Sequence, residues 1–155
     1  MKTTLAILLA AIVAACAPAA APPAQPAGNS TPNPVVYFEI PVSDMARAIA
    51  FYSAVFEIEL TRETVDGYDM ALFPGAPGRA GAVGALAKGD VYVPSLNGPI
   101  IYFGVADIAP VLARAVANGG RVLYAKKNIG ANGFVAEFQD SEGNRIALNA
   151  PEDPP

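Results

Sequence analysis

DSEGNRIALN, Asp140 to Asn149, reads as a tight turn that runs into a last strand. Arg145, Ala147 and Asn149 share one face of that strand, and Ile146 and Leu148 share the other. The polar face therefore has an alanine at its centre. The same alternation occurs twice upstream. In VVYFEI (35–40), Val36, Phe38 and Ile40 oppose Tyr37 and Glu39. In PIIYFGV (99–105), Ile101, Phe103 and Val105 oppose Ile100, Tyr102 and Gly104. One face is apolar each time and is expected to pack on helices. The other is mixed, which suits the wall of a cleft.

Between these strands the apolar period lengthens. SDMARAIAFYSAVF (43–56) is predicted to be a helix, capped by Ser43 or Asp44, with Met45, Ile49, Tyr52 and Phe56 at helical spacing. DIAPVLARAVANGG (107–120) is predicted to be a second, with Asp107 at its start, Pro110 in its first turn and Gly119 as a C-cap candidate. Strands are predicted near 57–64, 68–73 and 82–88 after the first helix. Three more are predicted near 121–126, 133–139 and 144–149 after the second. The order βαβββ thus occurs twice, in modules of about 35–96 and 97–151. The expected fold is α+β: two modules forming a curved mixed sheet around a cleft, with the helices on the outer face.

The N-terminus reads differently. MKTTLAILLAAIVAA (1–15) has a positive start at Lys2 and an apolar run too short to span a membrane comfortably. It ends in VAAC, which resembles a bacterial lipobox with Cys16 as the lipidated residue. Cys16 is the sole cysteine, so no intrachain disulfide can form. Removal of Lys2 with the leader takes the formal charge from −4 to −5. Residues 16–34, the cysteine followed by APAAAPPAQPAGNSTPNP, are dominated by Ala and Pro and are expected to form an extended tether. At about 3.1 Å per residue it reaches roughly 50 Å. This segment implies a domain in the bacterial cell envelope, expected to be anchored by lipid at Cys16 and to face the periplasm. Ala17 after the cysteine is similar to the outer-membrane default of enteric sorting.

Composition narrows the chemistry. The chain of 155 residues carries 14 acidic and 10 basic side chains, with no basic block, which argues against nucleic-acid binding. It contains no histidine, so His-ligated metals and Ser-His or Cys-His relays are excluded. The glycine-rich PGAPGRAGAVG (74–84) lacks the Lys-Ser/Thr ending of a phosphate loop and does not lie between a strand and a helix, so it reads as a loop at the cleft rim.

IPVSDMARAIAFYSAVF (40–56), VADIAPVLARAVANGGRVL (105–123) and FQDSEGNRIAL (138–148) together resemble the vicinal oxygen chelate superfamily. That group holds glyoxalase I, extradiol dioxygenases, fosfomycin-resistance enzymes and bleomycin-resistance proteins. The resemblance covers nearly all of residues 35–150. It implies a cleft where metal-dependent members place four ligands, usually His, Glu or Gln. Carried over by the nearest anchors, those positions fall on Tyr37, Ala85, Ile100 and Ala147. Alanine and isoleucine offer no donor, and a neutral tyrosine is a poor one. The expectation is therefore no metal and no cofactor.

What remains is binding. On the mixed faces, Tyr37, Glu39, Tyr102, Arg145 and Asn149 are expected to line the cleft, joined by Glu137 from FVAEFQD (134–140). Arg145 suits an anionic small molecule or a structural pair with Glu39 or Glu137, and the tyrosines suit a flat ligand. Glu39 is a candidate general base if burial raises its pKa. The leading expectation is a lipid-anchored domain that binds an unidentified small molecule, in the mode of bleomycin-resistance proteins. One alternative is an enzyme related to lactoylglutathione lyase or the dioxygenases, with a site rebuilt from Glu39, Glu137 and Asp69 or free of metal. Another is a structural or partner-binding lipoprotein. Members of the family often form homodimers, and the sequence does not choose between a dimer and a monomer.

Overall fold

The computed structural model describes residues 34–75 and 81–151. The readings of a leader at 1–15, of lipidation at Cys16, of nearly all of the tether and of the centre of the glycine-rich loop lie outside these residues. The elements are β1 (Tyr37–Pro41), α1 (Met45–Phe56), β2 (Thr61–Val65), β3 (Tyr68–Leu72) and β4 (Val83–Lys88). The second set is β5 (Ile101–Gly104), α2 (Ile108–Ala117), β6 (Arg121–Asn128), β7 (Phe134–Gln139) and β8 (Arg145–Ala150). A short 3-10 turn, Gly130–Asn132, separates β6 from β7.

The strands form two four-stranded mixed sheets, ordered β1-β4-β3-β2 and β5-β8-β7-β6. In each sheet the first and last strands of the module run parallel, and the other neighbours run antiparallel. The identical order confirms the βαβββ repeat read from the sequence. β1 and β5 each end a sheet, so each is hydrogen-bonded to a strand on one side only.

Both helices form where the caps predict. Asp44 accepts a hydrogen bond from the Arg47 amide at 3.0 Å, and Asp107 accepts one from the Ala109 amide at 3.0 Å. Pro110 sits in the first turn of α2, where no amide donor is required. Gly119 follows the helix at φ +94°, a conformation that costs glycine little.

The apolar strand faces and both helices share one core. Phe51, Tyr52 and Val55 from α1 meet Leu86, Ile108, Phe138, Ile146 and Leu148, all buried. Each such side chain contributes roughly 1.5–3 kcal/mol by leaving water. Gly84 is buried against the Phe38 ring, and a Cβ there would lie 2.4 Å from two ring atoms.

The DSEGN turn fastens the two modules. Asp140 Oδ1 accepts from the amides of Glu142, Gly143 and Asn144 at 2.9, 2.8 and 2.8 Å. Its Oδ2 accepts from the buried Tyr52 hydroxyl at 2.7 Å and from Asn144 Nδ2 at 2.8 Å. Asn144 also donates to the Pro41 carbonyl at 2.8 Å and accepts from the Ser95 amide at 3.0 Å. These buried polar groups are satisfied by one another, as a buried network requires.

Candidate functional site

Register places the predicted residues on the faces turned away from the core. In the second sheet, Tyr102, Ala147 and Glu137 lie side by side across β5, β8 and β7, with Tyr124 of β6 next in the row. In the first, Glu39, Ala85 and Leu72 form the corresponding row across β1, β4 and β3. Ala85 and Ala147 are therefore matched positions, each with a glutamate in register beside it. Both are completely buried.

Arg145 Nε lies 3.2 Å from Glu137 Oε2. Arg145 precedes Ala147 by two residues and Glu137 is the cross-strand partner of Ala147, so this is a diagonal ion pair beside Ala147. Glu137 is thus occupied, with 17% of its side chain exposed against 40% for Arg145. The approach is close, but Arg145 Nε is not aligned for a hydrogen bond and stays an unsatisfied donor.

Glu39 is held from another direction. The Tyr92 hydroxyl donates to Glu39 Oε2 at 2.8 Å, and the Tyr92 ring meets Tyr68 edge-on with centroids 5.2 Å apart. The hydrogen bond to Glu39 pushes the Tyr92 hydroxyl up to about 12, so it remains a donor at neutral pH. Tyr92 belongs to the irregular segment joining the modules, where neither periodicity nor a motif marks it in the sequence.

Two cavities lie near these residues. Glu39 and Arg145 both line one of about 450 Å³, together with Val93, Ser95 and Gly98. Tyr102 lines the other, of about 1060 Å³. Tyr37, Glu137 and Asn149 line neither. Tyr37 is 42% exposed at the start of β1. Partial burial first, and then the nearby Glu39 and Glu63, raise its pKa. Asn149 donates from Nδ2 to the Asn132 and Phe134 carbonyls, both at 3.2 Å, and so fastens the 3-10 turn. Asp69 stands on the core-side face of its sheet, opposite to Glu39, because it neighbours Met70, which shares the Glu39 side. There it takes two hydrogen bonds from Arg62 at 2.8 Å, which hold its pKa down. Asp69 and Glu39 therefore cannot converge on one ion.

A sequence profile of the Glyoxalase/Bleomycin resistance protein/Dioxygenase superfamily matches residues 35–148. The chain belongs to this superfamily. Among solved structures, a trypanothione-dependent glyoxalase I from Leishmania major is similar at a TM-score of 0.59 and 22% identity, over 77% of this chain and 87% of that one. A glyoxalase-related enzyme from Fulvimarina pelagi gives 0.57 and 16% identity over 75% and 86%. An antibiotic-binding protein from a Streptomyces species gives 0.53 and 25% identity over 76% and 94%. No curated protein sequence matches the chain.

The residues present do not fit the metal of the superfamily. Two of the four positions are buried alanines. The neighbouring carboxylates are engaged with Tyr92 and Arg145. Among the described residues, no cluster of three or more Asp, Glu, Cys or His side chains is arranged to hold an ion.

Proposed function

We propose that the chain is a metal-independent small-molecule-binding member of this superfamily, anchored in the bacterial envelope by lipid at Cys16 and facing the periplasm. The observation that carries the reading is the pair of buried alanines, Ala85 and Ala147, at the centre of the two rows. A cleft without donors at its centre recognises ligands by shape and by the groups around that centre. Arg145 supplies the cation. It shares its cavity with Glu39, and 40% of its side chain stays exposed despite the pair with Glu137, so it suits an anionic group on the ligand. Tyr37, on the same strand as Glu39, supplies an exposed ring for a flat portion.

A homodimer belongs to the proposal. The mixed faces of the two sheets point away from the shared core, and Val36 and Tyr37 leave apolar surface on or beside them. A second copy would cover that surface and close a cleft between a first and a second module.

Native mass spectrometry of the full-length chain, purified without chelators, tests the reading. The expected result is a protein free of stoichiometric divalent metal, with a small organic mass retained or readily loaded. One tightly bound metal equivalent would overturn the assignment of Tyr37, Ala85, Ile100 and Ala147 and restore the enzymatic alternative.

A further inference from the structure

The larger cavity, of about 1060 Å³, does not coincide with the Glu39 and Arg145 site. It opens at the junction of the modules, among the end of α1, the start of α2 and strands β1, β4 and β5. Its distinguishing feature is a set of four half-buried phenylalanines, Phe38, Phe56, Phe73 and Phe103. Phe103 is the hub. Phe56 stacks on it with centroids 4.6 Å apart, Phe73 lies at 5.5 Å, and Phe38 meets it edge-on at 5.9 Å. These side chains belong to the core-facing pattern of their elements, yet the junction leaves part of each ring uncovered.

The charged groups at the rim are already matched. Arg114 donates from Nε to the Val55 carbonyl at 2.8 Å and pairs with Glu57 at 3.3 Å. Asp107 caps α2 and lies 3.6 Å from Lys126. No rim charge needs an ionic ligand, and the walls offer ring faces and edges. A concave, apolar, aromatic-lined space of this volume fits a small molecule.

We propose that this cavity is a second binding site, taking an uncharged flat aromatic compound of two or three rings against the Phe103 cluster. It adjoins the anionic site at Arg145, since Phe38, Pro99 and Ile101 line both cavities, but it does not rest on the metal-independent reading. The probe for the test is N-phenyl-1-naphthylamine, which is uncharged and fluoresces on entering apolar surroundings. It is titrated into the full-length chain and into variants under one set of conditions.

The wild type is expected to show one saturable equivalent. Ala106 is exposed at the cavity mouth, so Ala106→Trp fills the mouth without entering the core. This variant is expected to weaken probe binding at least tenfold. Arg145→Ala is expected to change it less than twofold. Absence of a saturable component would overturn the proposal. So would a component that Arg145→Ala removes and Ala106→Trp leaves intact. Probe binding that falls as protein concentration rises, in step with dimer formation by sedimentation, would assign the groove to a second copy and also overturn it.

Discussion

Glu142 caps a helix whose N-cap residue lies 98 residues before it: its Oε2 accepts from the Asp44 amide at 3.0 Å. The same oxygen accepts from the Ser43 amide at 3.0 Å and the Ser43 hydroxyl at 2.7 Å. Arg47 adds two charge-assisted hydrogen bonds, each at 2.8 Å. The carboxylate side chain has no exposed surface. The first helix is therefore closed by the last hairpin, at the end where a negative charge is favoured.

This contact sets an acid dependence. Burial alone raises the Glu142 pKa, but the hydrogen bonds from Arg47, Ser43 and Asp44 outweigh it and hold the group at about 2, against an ordinary 4.5. A folded pKa below the unfolded one gives stability that is present above about 4.5 and is lost as pH falls toward 2. Glu142→Gln is expected to lower unfolding free energy by on the order of 2 kcal/mol at pH 7 and to flatten the acid limb. Urea titrations from pH 7 to pH 2.5 measure both effects.

Ala147→Glu places a carboxylate at the position where metal-dependent relatives carry one. Here the new group enters a fully buried site in register with Glu137, which already pairs with Arg145. The expected result is a loss of about 2 kcal/mol or more, with no rise in melting temperature on adding a divalent metal. Thermal melts with and without manganese read both outcomes, and a metal-dependent rise would show that one added carboxylate is enough to rebuild a metal site.

Gly84→Ala tests the seat of the Phe38 ring. The added Cβ would lie 2.4 Å from the ring, so Phe38 must move or tilt out of the cluster. A loss of roughly 1–3 kcal/mol is expected. Phe38→Leu in the same background is expected to recover part of it, and a double-mutant cycle by chemical denaturation measures the coupling.

Cys16→Ser tests the anchor. The variant is expected to lose lipid-dependent processing and to leave the membrane fraction, read by metabolic labelling with a fatty-acid analogue and by fractionation. Unchanged processing and partition would refute the lipoprotein reading.

The repeat, both helices and the face of every site strand were legible because each rests on local periodicity and capping. The pairing of Arg145 with Glu137 was legible as one of two options, since strand alternation places both on the mixed face. The tie from Tyr92 to Glu39 was not legible. Tyr92 lies in a segment without period, and its partner is 53 residues away. The structural task of Asn149 was hidden too, because two carbonyls around the 3-10 turn claim its amide and no strand pattern announces such a turn. Asp69 was misplaced as a partner of Glu39 because the pleat that separates them depends on register between strands, which a single chain read in order does not reveal.

The reach of Glu142 has a consequence for synthesis. Until the ribosome has added the final hairpin, the amides of Ser43 and Asp44 lack the acceptor that they have in the folded protein. The chain must retain a long early segment with an unfinished helix start, and that start locks only after Glu142 has been made. A truncation that removes β8 and its preceding turn would therefore both split β5 from β7 and leave the start of the first helix without its acceptor.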